Sequence, residues 1–130
     1  MMARPRSTEL TTRELAVIKI FWEQKDASAE EAREALAKAG EDLAYVTVAN
    51  VVRGLTDKGF LKQINPQRPF RYKAIRTFDD VAKRLVGDMV SRLFNGSREA
   101  LLVQLLDRRK LTRKEREYLT KLLQRQENDE

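Results

Sequence analysis

The stretch from Val46 to Ala74 constrains the fold most, because its hydrophobic period changes from helical to extended without a gap. Val48, Val52 and Leu55 recur at helical spacing, and Gly59 stands where a helix would stop, which predicts a helix from about Val46 to Lys58. Val46, Val48, Val51 and Val52 would also make a strand. A helix is preferred because it puts Asn50, Arg53 and Asp57 together on the face opposite the apolar stripe. Directly afterwards, Phe60 to Ile64 and Phe70 to Ala74 are β-type runs separated by Asn65, Pro66, Gln67, Arg68 and Pro69, a turn-rich spacer of hairpin length. Neither the helix nor the hairpin can bury its apolar side alone, so other elements must cover them.

The upstream sequence supplies those elements. Thr11 followed by Glu14 is a capping-box signal, and Leu15, Ile18, Phe21 and Trp22 then share one helical face. Lys25 to Ala27 reads as a break, after which Ser28 and Glu31 repeat the capping signal for a second helix to about Ala39, with Gly40 as its stop. Its stripe of Ala29, Ala32 and Leu36 is thin and suits close packing. Helix, helix, helix, hairpin is the order of a winged helix-turn-helix domain, expected over residues 1–76.

Residues 77–130 change character and predict three amphipathic helices, about Phe78 to Phe94, Ser97 to Asp107 and Thr112 to Gln126, the last opened by a Thr112 and Glu115 capping box. Val81, Leu85, Met89 and Leu93 line the first, Leu101, Leu102, Leu105 and Leu106 the second, and Leu119, Leu122 and Leu123 the third. Such thin helices bury too little surface to stand alone. Packing against a second copy as a dimerisation segment is the expected solution, and folding back onto the same chain is the other. The expected class is mostly α with a small β-hairpin: a winged helix-turn-helix domain plus a C-terminal helical dimerisation segment.

The net charge of +6 becomes informative once it is located. Residues 43–76 hold seven Lys or Arg against one Asp or Glu, whereas residues 1–42 hold seven against nine and residues 77–130 twelve against ten. A basic excess concentrated in one short segment is the footprint expected of a surface that meets phosphates. The chain has no cysteine and no histidine, which removes disulfides, thiolate metal sites and most acid–base chemistry. No enzyme activity, metal or cofactor is expected. No apolar run approaches the ~20 residues needed to cross a bilayer, and Met1 to Ser7 carries arginines with no apolar region behind them, so no membrane insertion or secretory signal is expected and the cytoplasm is the expected compartment.

An α-helix fits the major groove of B-DNA, where each base pair shows a distinct donor and acceptor pattern. Val46, Thr47, Asn50 and Arg53 are placed to use it: Asn pairs with adenine N6 and N7, Arg forks onto guanine or holds a phosphate, and Val46 or the Thr47 methyl meets a thymine methyl. In the hairpin Phe70 and Tyr72 alternate with Arg71 and Lys73, so one face packs on the domain while the other offers cations to the DNA backbone, extended by Lys62 and Arg68. Two other readings exist. The cations could serve an acidic protein partner of a winged-helix interaction module, and aromatics among basic residues could stack single-stranded bases, although two short strands give no such platform.

Thr47-Val48 followed by Leu55, then Lys58-Gly59-Phe60-Leu61, then Arg68-Pro69-Phe70-Arg71-Tyr72, resembles the recognition helix and wing of the BlaI/MecI-type repressors, the penicillinase and methicillin-resistance regulators. Leu10-Thr11-Thr12-Arg13-Glu14-Leu15 to Trp22 is similar to the family's first helix, and Leu93-Phe94-Asn95-Gly96-Ser97 with Leu101 to Leu106 to the start of its dimerisation region. The resemblance runs from about Leu10 to Leu123 and implies a homodimer that represses transcription from a palindromic double-stranded operator. In well-known members a membrane-bound sensor protease responding to β-lactams leads to cleavage at an Asn-Phe bond. Here that bond aligns with Gln104-Leu105, a departure from the pattern. Copper-responsive relatives use C-terminal cysteines, which this chain lacks. The recognition helix also departs, with Gly54-Leu55 where Arg-Leu is common and Val46 and Asn50 where Lys and Thr are frequent.

Overall fold

The computed structural model describes residues 10–107 and 110–129. Their order is α1 (Thr12–Glu23), β1 (Ala27–Ser28), α2 (Ala29–Lys38), α3 (Tyr45–Asp57), β2 (Leu61–Gln63), β3 (Arg71–Ala74), α4 (Phe78–Arg92), α5 (Arg98–Asp107) and α6 (Arg113–Asn128). The chain forms two compact units, the first ending at Leu85 and the second beginning at Val86, so the division falls inside α4.

All three expected capping boxes form. Thr11 Oγ1 accepts the Glu14 amide while Glu14 returns a carboxylate oxygen to the Thr11 amide, and Ser28 with Glu31 and Thr112 with Glu115 do the same. The helix stops are equally legible. Gly59 takes φ +86°, and the amides of Phe60 and Gly59 return to the carbonyls of Leu55 and Thr56, closing α3 in a Schellman motif. Gly40 at φ +95° closes α2 in the same way.

The core of the first unit is built where the apolar stripes of α1, α2 and α3 meet. Val17, Ile18, Val48 and Leu55 have no exposed surface, and Phe60 and Leu61 seal the core from the sheet side. The sheet has the order β1-β3-β2, antiparallel throughout. Its outer strand is the one departure from the expected elements. Ala27 lies in the stretch read as a break, yet with Ser28 it pairs Tyr72 and Arg71. Two residues are too short to show strand alternation, and Ser28 spends its side chain on capping α2, so the capping signal hid the strand.

Val81 and Leu85, expected on the dimerisation stripe, pack into this core, with Val81 only 5% exposed. Trp22 supports the same junction: its indole N–H donates to the Arg76 carbonyl at 2.9 Å and its ring meets Phe78 edge to face. In the second unit no hydrophobic side chain among the described residues is fully buried, and the apolar residues of α5 do not gather on one face. Leu101, Leu119 and Leu122 are half-buried, while Leu93, Leu102, Leu105, Leu106 and Leu123 are exposed.

Glu14 is the buried charge of the core. Besides its capping bond it accepts from Lys58 Nζ at 2.9 Å, tying the start of α1 to the end of α3. Burial opposes its ionisation, but the Thr11 amide and the Lys58 ammonium outweigh that penalty and hold its pKa below the ordinary 4.5. A carboxylate with a depressed native pKa stabilises the fold above its unfolded value, and the contribution fades as pH falls through the native value. Glu14→Gln should therefore lower stability at pH 7 by about 1–3 kcal/mol. In thermal unfolding the gap between variant and wild type should close below pH 4.5; a gap unchanged from pH 7 to pH 3 would contradict this role.

Candidate nucleic-acid interface

The rotation of α3 about its own axis follows from its buried stripe. Val48, Val52 and Leu55 are between 0% and 1% exposed, which turns the opposite face to solvent. On that face Val46 is 65% exposed, so its side chain is open to a partner. Asn50 and Arg53 follow it at intervals of four and three residues and are exposed, while Thr47 is half-buried at the flank. Gly54 is not required by crowding, because a Cβ there would meet only Glu14 Oε2 at 3.9 Å.

The wing is held together by one side chain that composition marked only as a turn former. Asn65 Nδ2 donates to the carbonyls of Gln67 and Pro69, and its Oδ1 accepts the Arg71 amide at 2.7 Å. Gln63 Nε2 adds a bond to the Asn65 carbonyl, and the Ile64 amide donates to the Arg71 carbonyl. Asn65 thus replaces the backbone ladder where the strands diverge. Only the residue type hinted at this role in the sequence. An open cleft runs between α3 and the wing, and Val46, Asn50 and Arg53 share its lining with Arg68 and Phe70.

The basic segment does not face one way as a whole. Lys58 is engaged by Glu14, Arg76 lies over the Phe60 ring at 5.5 Å, and Arg71 is held by Asp26 and Glu31. The hydrogen bond that Arg71 donates to Asp26 is the chief cause that raises the Arg71 pKa, while the Ser28 amide leads in lowering that of Glu31. Arg53, Lys62, Arg68 and Lys73 pair with no carboxylate among the described residues. Arg68 stacks its guanidinium 5.4 Å from the Phe70 centroid, and Lys62 and Lys73 are direct cross-strand partners. Two like charges opposite each other destabilise a sheet unless an anion bridges them. Tyr72 packs on the core as expected, and Phe70 is half-buried at the cleft.

The dimerisation residues divide. Val81 and Leu85 belong to the first unit's core, whereas Met89, Leu93, Leu102, Leu105 and Leu106 are exposed. Gln104 and Leu105, at the position aligned with the cleavable bond, lie inside α5 with exposed side chains. Among the described residues no group of carboxylates could hold a metal, and no helix is long and apolar enough to cross a membrane.

Comparison with known proteins follows the same lines. Residues 10–125 match the penicillinase repressor family. The methicillin resistance regulatory protein MecI of Staphylococcus aureus strain N315 is 22% identical over 118 residues, covering 91% of this chain and 95% of its own length. MecI of Mammaliicoccus sciuri is also 22% identical over the same shares. Among solved structures, that of a RosR-SG complex aligns with a TM-score of 0.50 at 14% identity, over 92% of this chain and 94% of that one. A cysteine-to-serine variant of MarR from E. coli aligns at 0.48 and 17% identity, over 90% and 77%.

Asn65→Ala should speed hydrogen exchange of the Arg71 amide roughly tenfold, the value of one bond of ~1.4 kcal/mol. Amides of Val52 and Leu55 should stay protected; an unaltered Arg71 amide would show that the loop does not depend on Asn65.

Proposed function

The chain belongs to the penicillinase repressor family and is a DNA-binding transcriptional regulator rather than an enzyme, and from that premise we propose that it represses transcription as a homodimer on a palindromic operator. The observation that carries this reading is the exposed face of α3, Val46, Asn50 and Arg53, lining one cleft with the cationic wing. In the major groove Asn50 pairs with adenine, Arg53 with guanine or phosphate, and Val46 and the Thr47 methyl with thymine methyls. Arg68, Lys62 and Lys73 grip the phosphates alongside, which relieves the repulsion between the two cross-strand lysines. The exposed leucines of the second unit, Leu93, Leu102, Leu105 and Leu106, supply the apolar surface a partner copy would cover, and the half-buried Leu101, Leu119 and Leu122 add to it. A two-fold dimer then reads two inverted half-sites about one helical turn apart, ~10 bp.

The relatives named for methicillin resistance suggest the setting: a cytoplasmic repressor of β-lactam resistance or a related stress response. If a membrane sensor protease relieves repression, its cut at Gln104-Leu105 would fall within a helix, so α5 would have to open first.

Three measurements test this function. Binding to a duplex selected by the chain should weaken steeply with salt, and Asn50→Ala or Arg53→Ala should cost about 1–3 kcal/mol of discrimination at one base position. Salt-insensitive binding to an acidic protein with none to duplex DNA would favour an interaction module instead. Lys62→Gln should act with opposite signs, stabilising the free protein by about 0.2–1 kcal/mol while weakening DNA binding across sequences; losses in both would remove the phosphate assignment. Leu105→Glu should turn a sedimenting dimer into a monomer, and a dimer unaffected by it would place the interface elsewhere.

A further inference from the structure

Arg71 stands apart from the other cations of the wing. It is the register partner of Ser28, and its guanidinium reaches across β1 to two carboxylates. Nε donates to Asp26 Oδ1 at 2.7 Å, Nη2 lies 2.6 Å from the same oxygen, and Nη1 lies 2.8 Å from Glu31 Oε1. Nη2 also donates to the Asp26 carbonyl at 3.3 Å. The Glu31 oxygen involved also accepts the Ser28 amide at 2.9 Å, so one carboxylate caps α2 and holds the wing together. A planar guanidinium can serve both carboxylates at fixed angles, which an ammonium cannot do.

Two carboxylates around one cation leave no positive charge to offer a phosphate. The backbone pairing that joins the wing to the start of α2 is the two-residue strand β1, a short seam to resist rotation. We infer that Arg71 is a positioning residue that locks the wing against the start of α2 and so fixes the separation of Arg68 and Lys73 from the exposed face of α3. The inference rests on the DNA-binding reading above. It withdraws Arg71 from the phosphate contacts that its alternation with Tyr72 implied, and it adds Asp26 and Glu31 to the residues on which recognition depends. Recognition by two elements at once demands that their spacing hold to a fraction of an ångström.

The test uses the full chain, a duplex enriched from a random library by the wild-type protein, and a scrambled duplex of equal length, titrated between about 50 and 200 mM salt. Arg71→Gln should weaken binding to the enriched duplex about tenfold, leaving affinity and salt slope on the scrambled duplex unchanged. Arg71→Lys should behave like Arg71→Gln, because it keeps the charge and loses the fork. Asp26→Asn should lose the same discrimination, and the double variant should lose no more than either single one. Rescue by lysine, or a salt slope made shallower by about 0.9 in Arg71→Gln, would make Arg71 a phosphate ligand and overturn the inference. Equal losses on both duplexes would overturn it in favour of a merely structural role. A wild-type chain that prefers neither duplex would overturn the DNA reading, and this inference with it, before any substitution is made.

Discussion

Burial of one stripe of α3 is the constraint from which the rest of the first unit follows. Val48, Val52 and Leu55 lose essentially all contact with water, and each buried side chain of this size contributes about 1.5–3 kcal/mol. A helix has one rotational freedom about its axis, and this stripe removes it. Residues four and three positions apart on the far side, Val46, Asn50 and Arg53, are then presented together whatever their own preferences. The Glu14–Lys58 pair adds a second restraint at the far end of α3, joining a capping carboxylate of α1 to the C-cap of α3.

The wing depends on side chains where its backbone runs out of partners. Asn65 closes the loop internally, and the Arg71 cluster closes it externally against α2. Polar groups placed this way are costly when left half satisfied, so they specify one geometry more sharply than apolar packing would. The cations left over, Arg53, Lys62, Arg68 and Lys73, are a subset of the basic segment. The excess visible along the sequence overstates the charge available at the surface.

How much was legible in the sequence varies with the physics involved. Helix starts were plain because a capping box is a local device, and Thr11, Ser28 and Thr112 form theirs within three residues. Helix stops at Gly40 and Gly59 were plain because only a residue without a Cβ takes positive φ without cost. The exposed face of α3 was legible from period alone, whereas β1 was not, since its pairing with β3 spans the chain and its Ser28 already had a local role. The partners of Arg71 and the role of Asn65 were hidden for the same reason: alternation along a strand says which side a residue faces, not which carboxylate waits there. Val81 and Leu85 continue the heptad-like stripe of α4 without interruption, so nothing local marks where that stripe changes from core to surface.

The central claim, that the outward face of α3 enters the major groove, has a direct test because the chain contains no cysteine. A cleaving reagent tethered to Asn50→Cys should cut a bound duplex at two symmetric positions in the major groove, while the same reagent on Lys38→Cys, at the end of α2, should leave those positions intact. Cleavage directed from position 38 and absent from position 50 would contradict the account.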